Sequence, residues 1–183
     1  MARRRADSFP HALEVRKTDG RTGVIALRDI PAGALVARLQ GSRSGHPTRH
    51  TIQIGDSLHL DLRGTLPVEI NHSCAPSGYV DSSDPSQPTI RALRFIERGS
   101  EITIDYCASE DVLAEPFDCR CNSSGCYGVV RGYSFLTSDQ RRTLGEKASS
   151  FLLRKYGIPG ESKAAPPAAT SFSPATLCNS RGS

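Results

Sequence analysis

Three of the chain's six cysteines fall within eight residues, at Cys119, Cys121 and Cys126. Zinc prefers four soft ligands in a tetrahedron, so a cluster of three thiolates must recruit a fourth ligand from elsewhere. A site closed by four protein ligands leaves no position for substrate, so the predicted metal is structural. The cysteine cluster, meaning these three residues, therefore predicts a zinc ion that joins two distant parts of the chain.

Four residues compete for the fourth ligand position: Cys74, Cys107, Cys178 and His72. Cys178 lies in a segment rich in Ala, Pro, Ser and Thr, which is a poor place for a fixed ligand. Cys107 ends a predicted strand and also suits a small buried apolar residue. If Cys74 is the ligand, the metal ties the C-terminal segment to the middle of the chain and closes a site beside Asn71 and His72.

Composition limits the classes of protein to consider. At 183 residues with 37% apolar residues, the sequence predicts one domain with a modest core. The net charge of +4 is mild, and residues 3–5 form the only run of three arginines. We interpret that run as part of a flexible N-terminus over residues 1–11. A basic stripe with interleaved aromatic residues, typical of a nucleic-acid site, is not present.

The sequence also shows no signal for export or for membrane insertion. No apolar run reaches the roughly 20 residues of a membrane span. No signal-peptide core follows the N-terminal arginines. Cysteines in such a chain are better explained as thiols or metal ligands than as disulfides. We therefore expect an intracellular protein, cytoplasmic or nuclear, with no membrane contact; its oligomeric state is not indicated.

Short alternating segments separated by turn residues predict a mostly β domain. Strands are predicted over residues 13–16, 24–27 and 34–39. Residues 51–62 are expected to form one hairpin and residues 89–106 a second.

One helix is predicted over residues 137–157. Thr137 and Gln140 have the spacing of a capping box, and apolar residues then recur at helical spacing. Gly157, followed by Pro159, predicts the end of the helix. The tail over residues 159–183 is expected to be disordered because Ala, Pro, Ser and Thr dominate it.

Four segments, in order along the chain, resemble the motifs of SET-domain protein lysine methyltransferases. They are Gly23-Val24 with the turn at 29–33, Asn71-His72-Ser73-Cys74, the segment 101–106 ending in Asp-Tyr, and the cysteine cluster. The resemblance spans about residues 12–130, and the order of four motifs makes it specific.

The resemblance implies a SET-domain fold over residues 12–110, built of small curled β-sheets with a pseudoknot. In it the Asp-Tyr segment threads under the loop that carries Asn71 and His72. A post-SET zinc segment follows at 115–131, with Cys74 as the fourth ligand of one structural zinc. The cofactor of the family is S-adenosylmethionine.

The resemblance also assigns roles to residues. Tyr106 matches the catalytic tyrosine, whose hydroxyl orients the amine near the transferring methyl group. Cofactor-binding positions map onto Arg21, Thr22, Gly23, Asn71, His72, Tyr106 and Phe117. Phe117 would cover the adenine, and Gly23 would let the backbone approach the methionine part of the cofactor.

Two departures affect the substrate and the cofactor. Arg21 stands where the family often has glycine. The region 41–68 is short where relatives often carry an insert that grips a peptide. The substrate groove is therefore expected to be open and shaped by residues 77–88 and the C-terminal helix. The partner is predicted to be a protein lysine, with two alternatives: a small amine, or no turnover in a zinc-stapled interaction module.

Overall fold

The computed structural model describes residues 13–18 and 20–157, and its regular elements are mostly short strands. The predicted flexible terminus and tail lie outside the described residues. The strands are β1 (Leu13–Thr18), β2 (Arg21–Ala26), β3 (Leu35–Arg38), β4 (Ser42–Ser44), β5 (Thr51–Gly55), β6 (Leu58–Asp61), β7 (Asn71–His72), β8 (Gly78–Asp81), β9 (Thr89–Ala92), β10 (Glu101–Ile104), β11 (Phe117–Asp118) and β12 (Val129–Val130). The α-helices are α1 (Tyr106–Ser109), α2 (Ser138–Leu144) and α3 (Ser150–Tyr156), and 3₁₀ turns occupy Leu66–Glu69, Tyr133–Phe135 and Gly145–Lys147.

The sheet that organises the site has the strand order β1-β2-β10-β7. β10 runs antiparallel to β2 and parallel to β7, with Thr103 opposite Asn71 and Ile104 opposite His72. Immediately after β10, Tyr106 bonds back to the segment preceding β7, through its hydroxyl to the Ile70 carbonyl. The small sheets predicted from the sequence are confirmed, and this pairing is the contact that the expected pseudoknot requires.

Two further sheets have the orders β3-β9-β8 and β4-β6-β5, and β11 pairs with β12. The predicted hairpin at 51–62 is confirmed as β5 and β6. The predicted hairpin at 89–106 is wrong, because β9 and β10 belong to different sheets. The turn between them bonds to β2 instead: Gly99 donates to the Ala26 carbonyl, and Ala26 donates to the Ser100 carbonyl.

The core consists of two apolar clusters that meet at α1. The larger fills the space between the sheets and includes Val24, Ile30 and Ile102, all fully buried. The smaller packs α1 against the C-terminal helices and is centred on Phe151. Tyr106 packs against both clusters, so the side chain predicted to be catalytic also joins the two halves of the core.

The predicted helix at 137–157 is divided in two. The capping box of Thr137 and Gln140 is present, and α2 begins as expected. The helix ends at Gly145, where φ is +54°, a conformation that favours glycine. Ser149 then donates its main-chain N–H to the Ala108 carbonyl at 2.7 Å, which redirects the chain into α3. Of the apolar positions that predicted the helix, Leu144, Ala148, Phe151 and Leu152 remain buried, and Tyr156 is half-buried.

No helix within residues 13–18 and 20–157 combines the length and the apolar character that a membrane crossing needs.

Candidate active site

A cleft of about 1050 Å³ lies where the first sheet meets the segment that precedes the cysteine cluster. Its walls come from four stretches of chain: 48–52, 62–73, 101–110 and 113–121, with Arg21 and Thr22 at one side. Residues 77–88, which were expected to shape the substrate groove together with the C-terminal helix, do not line this cleft. Instead, Gly78 and Tyr79 border a separate cavity of about 270 Å³ together with α2.

Tyr106 begins α1 on the wall of this cleft. Its hydroxyl donates to the Ile70 carbonyl at 2.8 Å, and its main-chain N–H donates to Nδ1 of His72 at 3.1 Å. Burial, reinforced by the carboxyl groups of Glu110, Glu101 and Glu69, raises the pKa of Tyr106 to about 12. The side chain is therefore a neutral phenol near pH 7, with oxygen lone pairs that can accept a hydrogen bond.

His72 connects Tyr106 to the cysteines. Because Nδ1 accepts the Tyr106 N–H, a neutral ring carries its proton on Nε2, which lies 3.2 Å from the Cys74 sulfur. Burial lowers the pKa of His72 to about 4, so the ring is neutral near pH 7. Asp105 is also buried, which raises its pKa to about 6; it accepts hydrogen bonds from the Tyr127 hydroxyl and the Cys107 N–H.

Asn71, which precedes His72 on β7, also lies on the wall of the cleft. Its side-chain amide donates to the Thr22 carbonyl at 2.6 Å and to Glu101 Oε1 at 2.8 Å. Gly23 is buried beside this pair, and a Cβ atom there would lie 2.5 Å from Glu101 Oε1. The missing side chain of Gly23 thus leaves space for the Glu101 carboxyl group. Gly23 is not among the described residues that line the cleft.

The remaining predicted cofactor residues lie at the rim. Arg21 is exposed and Thr22 half-buried, both on β2. Phe117 is 38% exposed and approaches the His72 and Tyr106 rings edge-on, with centroids 5.8 and 6.1 Å apart. The structure therefore brings all the predicted residues except Gly23 to one cleft.

The four cysteines predicted as ligands meet beside the cleft. The sulfur atoms of Cys74 and the cysteine cluster all lie within 4.8 Å of one another, and Cys74 and Cys119 are 3.7 Å apart. A tetrahedral zinc with 2.3 Å bonds requires sulfurs about 3.8 Å apart, so this donor set fits zinc. The main-chain N–H of Tyr127 donates to the Cys74 sulfur at 3.4 Å, as expected for a thiolate. Cys107 is buried in the smaller core cluster.

Two cleft residues, Glu101 and Glu110, were missed by sequence reasoning. Glu101 could have been found, because the alternation of β10 buries Ile102 and Ile104 and turns Glu101 and Thr103 to the other face. Glu110 gave no signal of this kind. It follows α1 directly and is only 8% exposed, which its residue type alone does not predict.

Comparisons of the sequence with known proteins agree with this interpretation of the site. A protein-family model described as SET domain matches residues 21–107. Methyltransferase flvH of Aspergillus flavus is 32% identical over 128 residues, covering 68% of this chain and 71% of flvH. An H3 lysine-36-specific histone-lysine N-methyltransferase of Yarrowia lipolytica is 31% identical over 130 residues, covering 60% of this chain but only 17% of that enzyme.

Solved structures show the same fold. The methyltransferase domain of human SETMAR, a histone-lysine N-methyltransferase, superposes with a TM-score of 0.55 at 18% identity, covering 68% of this chain and 59% of that one. Arabidopsis thaliana SUVH6 in complex with SAM gives a TM-score of 0.57 at 21% identity, covering 68% of this chain and 34% of SUVH6.

Proposed function

Because the chain belongs to the SET-domain methyltransferase family, we propose that it transfers the methyl group of S-adenosylmethionine to the side-chain amine of a protein lysine. The observation that carries this proposal is the position of Tyr106. Its hydroxyl is held by the Ile70 carbonyl at the wall of a cleft large enough for both a cofactor and an alkyl amine.

Bound S-adenosylmethionine would supply an electrophilic methyl group on a positively charged sulfur. The chain's own task is to place an amine nitrogen in line with that group, and such positioning can account for much of the rate. The Tyr106 hydroxyl proton is committed to Ile70, so its oxygen accepts an amine N–H and fixes the direction of the nitrogen lone pair. The raised pKa of Tyr106 keeps its hydroxyl protonated near pH 7, so the hydroxyl remains a donor to the Ile70 carbonyl.

We assign the cofactor to the wall that carries Asn71 and His72. Arg21 and Thr22 border that wall, and Phe117 faces it from the segment before the cysteine cluster. The buried neutral ring of His72 suits a place beside a cationic sulfonium, since a protonated imidazole would repel it. The proposed zinc holds the Phe117 segment over the cleft by joining Cys74 to the cysteine cluster.

A protein lysine is supported by relatives named as histone-lysine N-methyltransferases. A small amine is the second candidate, and two observations favour it. The chain covers 71% of flvH, which is named only as a methyltransferase, against 17% of the Yarrowia enzyme. The region 41–68 is also short, with β4 to β6 and one 3₁₀ turn beside the cleft.

Radiolabelled methyl transfer tests the proposal. The protein is incubated with methyl-labelled S-adenosylmethionine and either histones or a panel of small primary amines. Label in histones that is recovered as methyl-lysine supports the first candidate, and label only in small amines supports the second. No labelled product from either class, together with calorimetric binding of the cofactor, would contradict an amine methyltransferase. Absence of cofactor binding at millimolar concentration would instead indicate an inactive module.

A further inference from the structure

Glu110 places a buried carboxyl group on the wall of the cleft, one helical turn after Tyr106. The residue is 8% exposed, and its main-chain N–H donates to the Tyr106 carbonyl at 2.8 Å. A buried carboxylate costs free energy unless it is paired or hydrogen-bonded. Neither arginine nor lysine forms an ion pair with Glu110 among residues 13–18 and 20–157. The burial of this carboxyl group without a countercharge therefore needs an explanation.

The two carboxyl oxygens of Glu110 have different surroundings. Oε1 accepts the main-chain N–H of Gln53 at 2.8 Å, which fixes the side chain against β5. Oε2 has no hydrogen-bond partner in the part of the chain that the structure describes, although the residue borders the cleft. One oxygen is thus used to orient the group, and the other is available to a ligand.

Electrostatics indicate that this ligand is a cation. Glu110, Glu101 and Glu69 all border the cleft, and all three act on Tyr106. Glu101 is already bonded to Asn71. Glu110 is the most buried of the three, so its charge is the least screened by water. Burial raises the pKa of Glu110 to about 8, which is typical of a carboxyl group that lacks a countercharge.

We propose that Oε2 of Glu110 binds the amine nitrogen of the substrate and accepts one of its protons. This inference rests on the function proposed above and assigns the recognition of the amine. An incoming ammonium group donates an N–H to Oε2 of the ionised form of Glu110. The N–H bond then breaks and an O–H bond forms, so the bonding pair stays on nitrogen as a lone pair and both charges disappear. Tyr106 orients the neutral amine, and the acid later returns its proton to water in the cleft.

Glu110→Gln tests this proposal with little change in shape. The amide oxygen can still accept the Gln53 N–H, while an NH₂ group replaces the free oxygen. Glu115→Gln is the matched control, because Glu115 is an exposed glutamate at the rim of the same cleft.

The direct measurement is a carbon-13 NMR titration with n-butylamine, which has the chemistry of a lysine side chain, against n-butanol as the neutral control. At pH 9 the amine is mostly protonated, since its free pKa is about 10.4, and Glu110 is mostly ionised. We expect the carboxyl resonance of Glu110, identified by its loss in Glu110→Gln, to shift saturably with n-butylamine and not with n-butanol. Binding to Glu110→Gln should weaken about tenfold or more, and Glu115→Gln should match the wild type.

Two results would overturn the proposal. The first is a Glu110 resonance that stays fixed throughout the n-butylamine titration. The second is n-butylamine binding as tight in Glu110→Gln as in the wild type. Neither measurement depends on methyl transfer, so a cleft that binds the amine through Glu110 but never methylates it would contradict the proposed function alone. In an active protein, Glu110→Gln should raise KM for the amine while the Kd for S-adenosylmethionine stays within about twofold.

Discussion

At the scale of single residues, burial determines which groups in the cleft can do chemistry. It keeps Tyr106 a neutral phenol and His72 a neutral imidazole, and it leaves Glu110 able to exchange a proton near neutral pH. The motif residues could be predicted because their types are characteristic in order and spacing. The state of each group could not, because it depends on burial and on hydrogen-bond partners such as Gln53 and Ile70 that are far away in sequence.

Replacement of Tyr106 by Phe tests the orienting role of the hydroxyl. Without the oxygen, the amine loses its acceptor, and we expect kcat to fall about 100-fold or more. The cofactor wall is unchanged, so the Kd for S-adenosylmethionine should stay within about threefold. Steady-state kinetics and calorimetry measure the two effects. Tyr79→Phe, which changes a tyrosine outside this cleft, is the control. Equal losses of turnover and cofactor affinity would show that the role of Tyr106 is misassigned.

The titration of Glu110 should also change how the stability of the protein depends on pH. Its pKa is about 8 in the folded protein against an ordinary value of 4.5, so the folded state binds more protons than the unfolded state between these values. The contribution of Glu110 to the free energy of unfolding is therefore fully present below about pH 4.5 and is lost as the pH rises toward 8. Glu110→Gln removes this term, so the melting temperature of the variant should fall less between pH 5 and 9 than that of the wild type. Parallel melting profiles for the two proteins would contradict the raised pKa.

At the scale of elements, β10 determines the site because it pairs on both edges. Its partners are β2 and β7, which are distant in sequence. Alternation along residues 101–104 correctly predicted a strand, but pattern alone gave it the wrong neighbour, β9. Local signals such as the capping box of Thr137 were reliable, since both of its hydrogen bonds lie within four residues. Long-range pairing depends on which apolar faces meet, and no short segment records that.

The contact between β2 and β10 predicts a specific cost at Gly23. Gly23→Ala would place a methyl group 2.5 Å from Glu101 Oε1 and 3.2 Å from Asn71 Nδ2. The Glu101–Asn71 pair must shift, and we expect a loss of about 1–2 kcal/mol in the free energy of unfolding by urea denaturation. Gly45→Ala is the control, because a Cβ there meets nothing within 4 Å. A Gly23→Ala variant as stable as Gly45→Ala would show that the Glu101–Asn71 pair accommodates the methyl group without loss of stability.

At the scale of the whole molecule, two core clusters meet at α1. Tyr106 packs against both. The four cysteines form a further connection, since Cys74 follows β7 and the cysteine cluster precedes β12. Hydrogen bonds of Gln53 on β5 with Glu110 and Asp111 form another. The cleft lies along this junction. The geometry of the site therefore depends on how firmly the two halves are joined, which is a property of neither half alone.

Removal of the proposed zinc should loosen this junction before either core unfolds. Structural zinc sites can contribute several kcal/mol or more to folding, so chelation should lower the melting temperature by about 10 °C or more. Hydrogen exchange should accelerate over residues 117–130 first, while β3, β8 and β9 stay protected because their sheet includes none of the strands β7, β11 and β12 that flank the cysteines. Affinity for S-adenosylmethionine should fall in parallel, since Phe117 is no longer held at the cleft.

Two variants separate the metal from a general effect of cysteine loss. Cys126→Ser removes one of the four clustered thiols, and its zinc content by plasma mass spectrometry should fall well below one ion per chain. Cys107→Ala alters a buried thiol outside the cluster and should retain the metal. If chelation verified by the same measurement leaves the melting curve and the exchange of residues 117–130 unchanged, the two halves are joined by packing through Tyr106 and by the hydrogen bonds of Gln53. The four thiols then contribute nothing to closing the cleft.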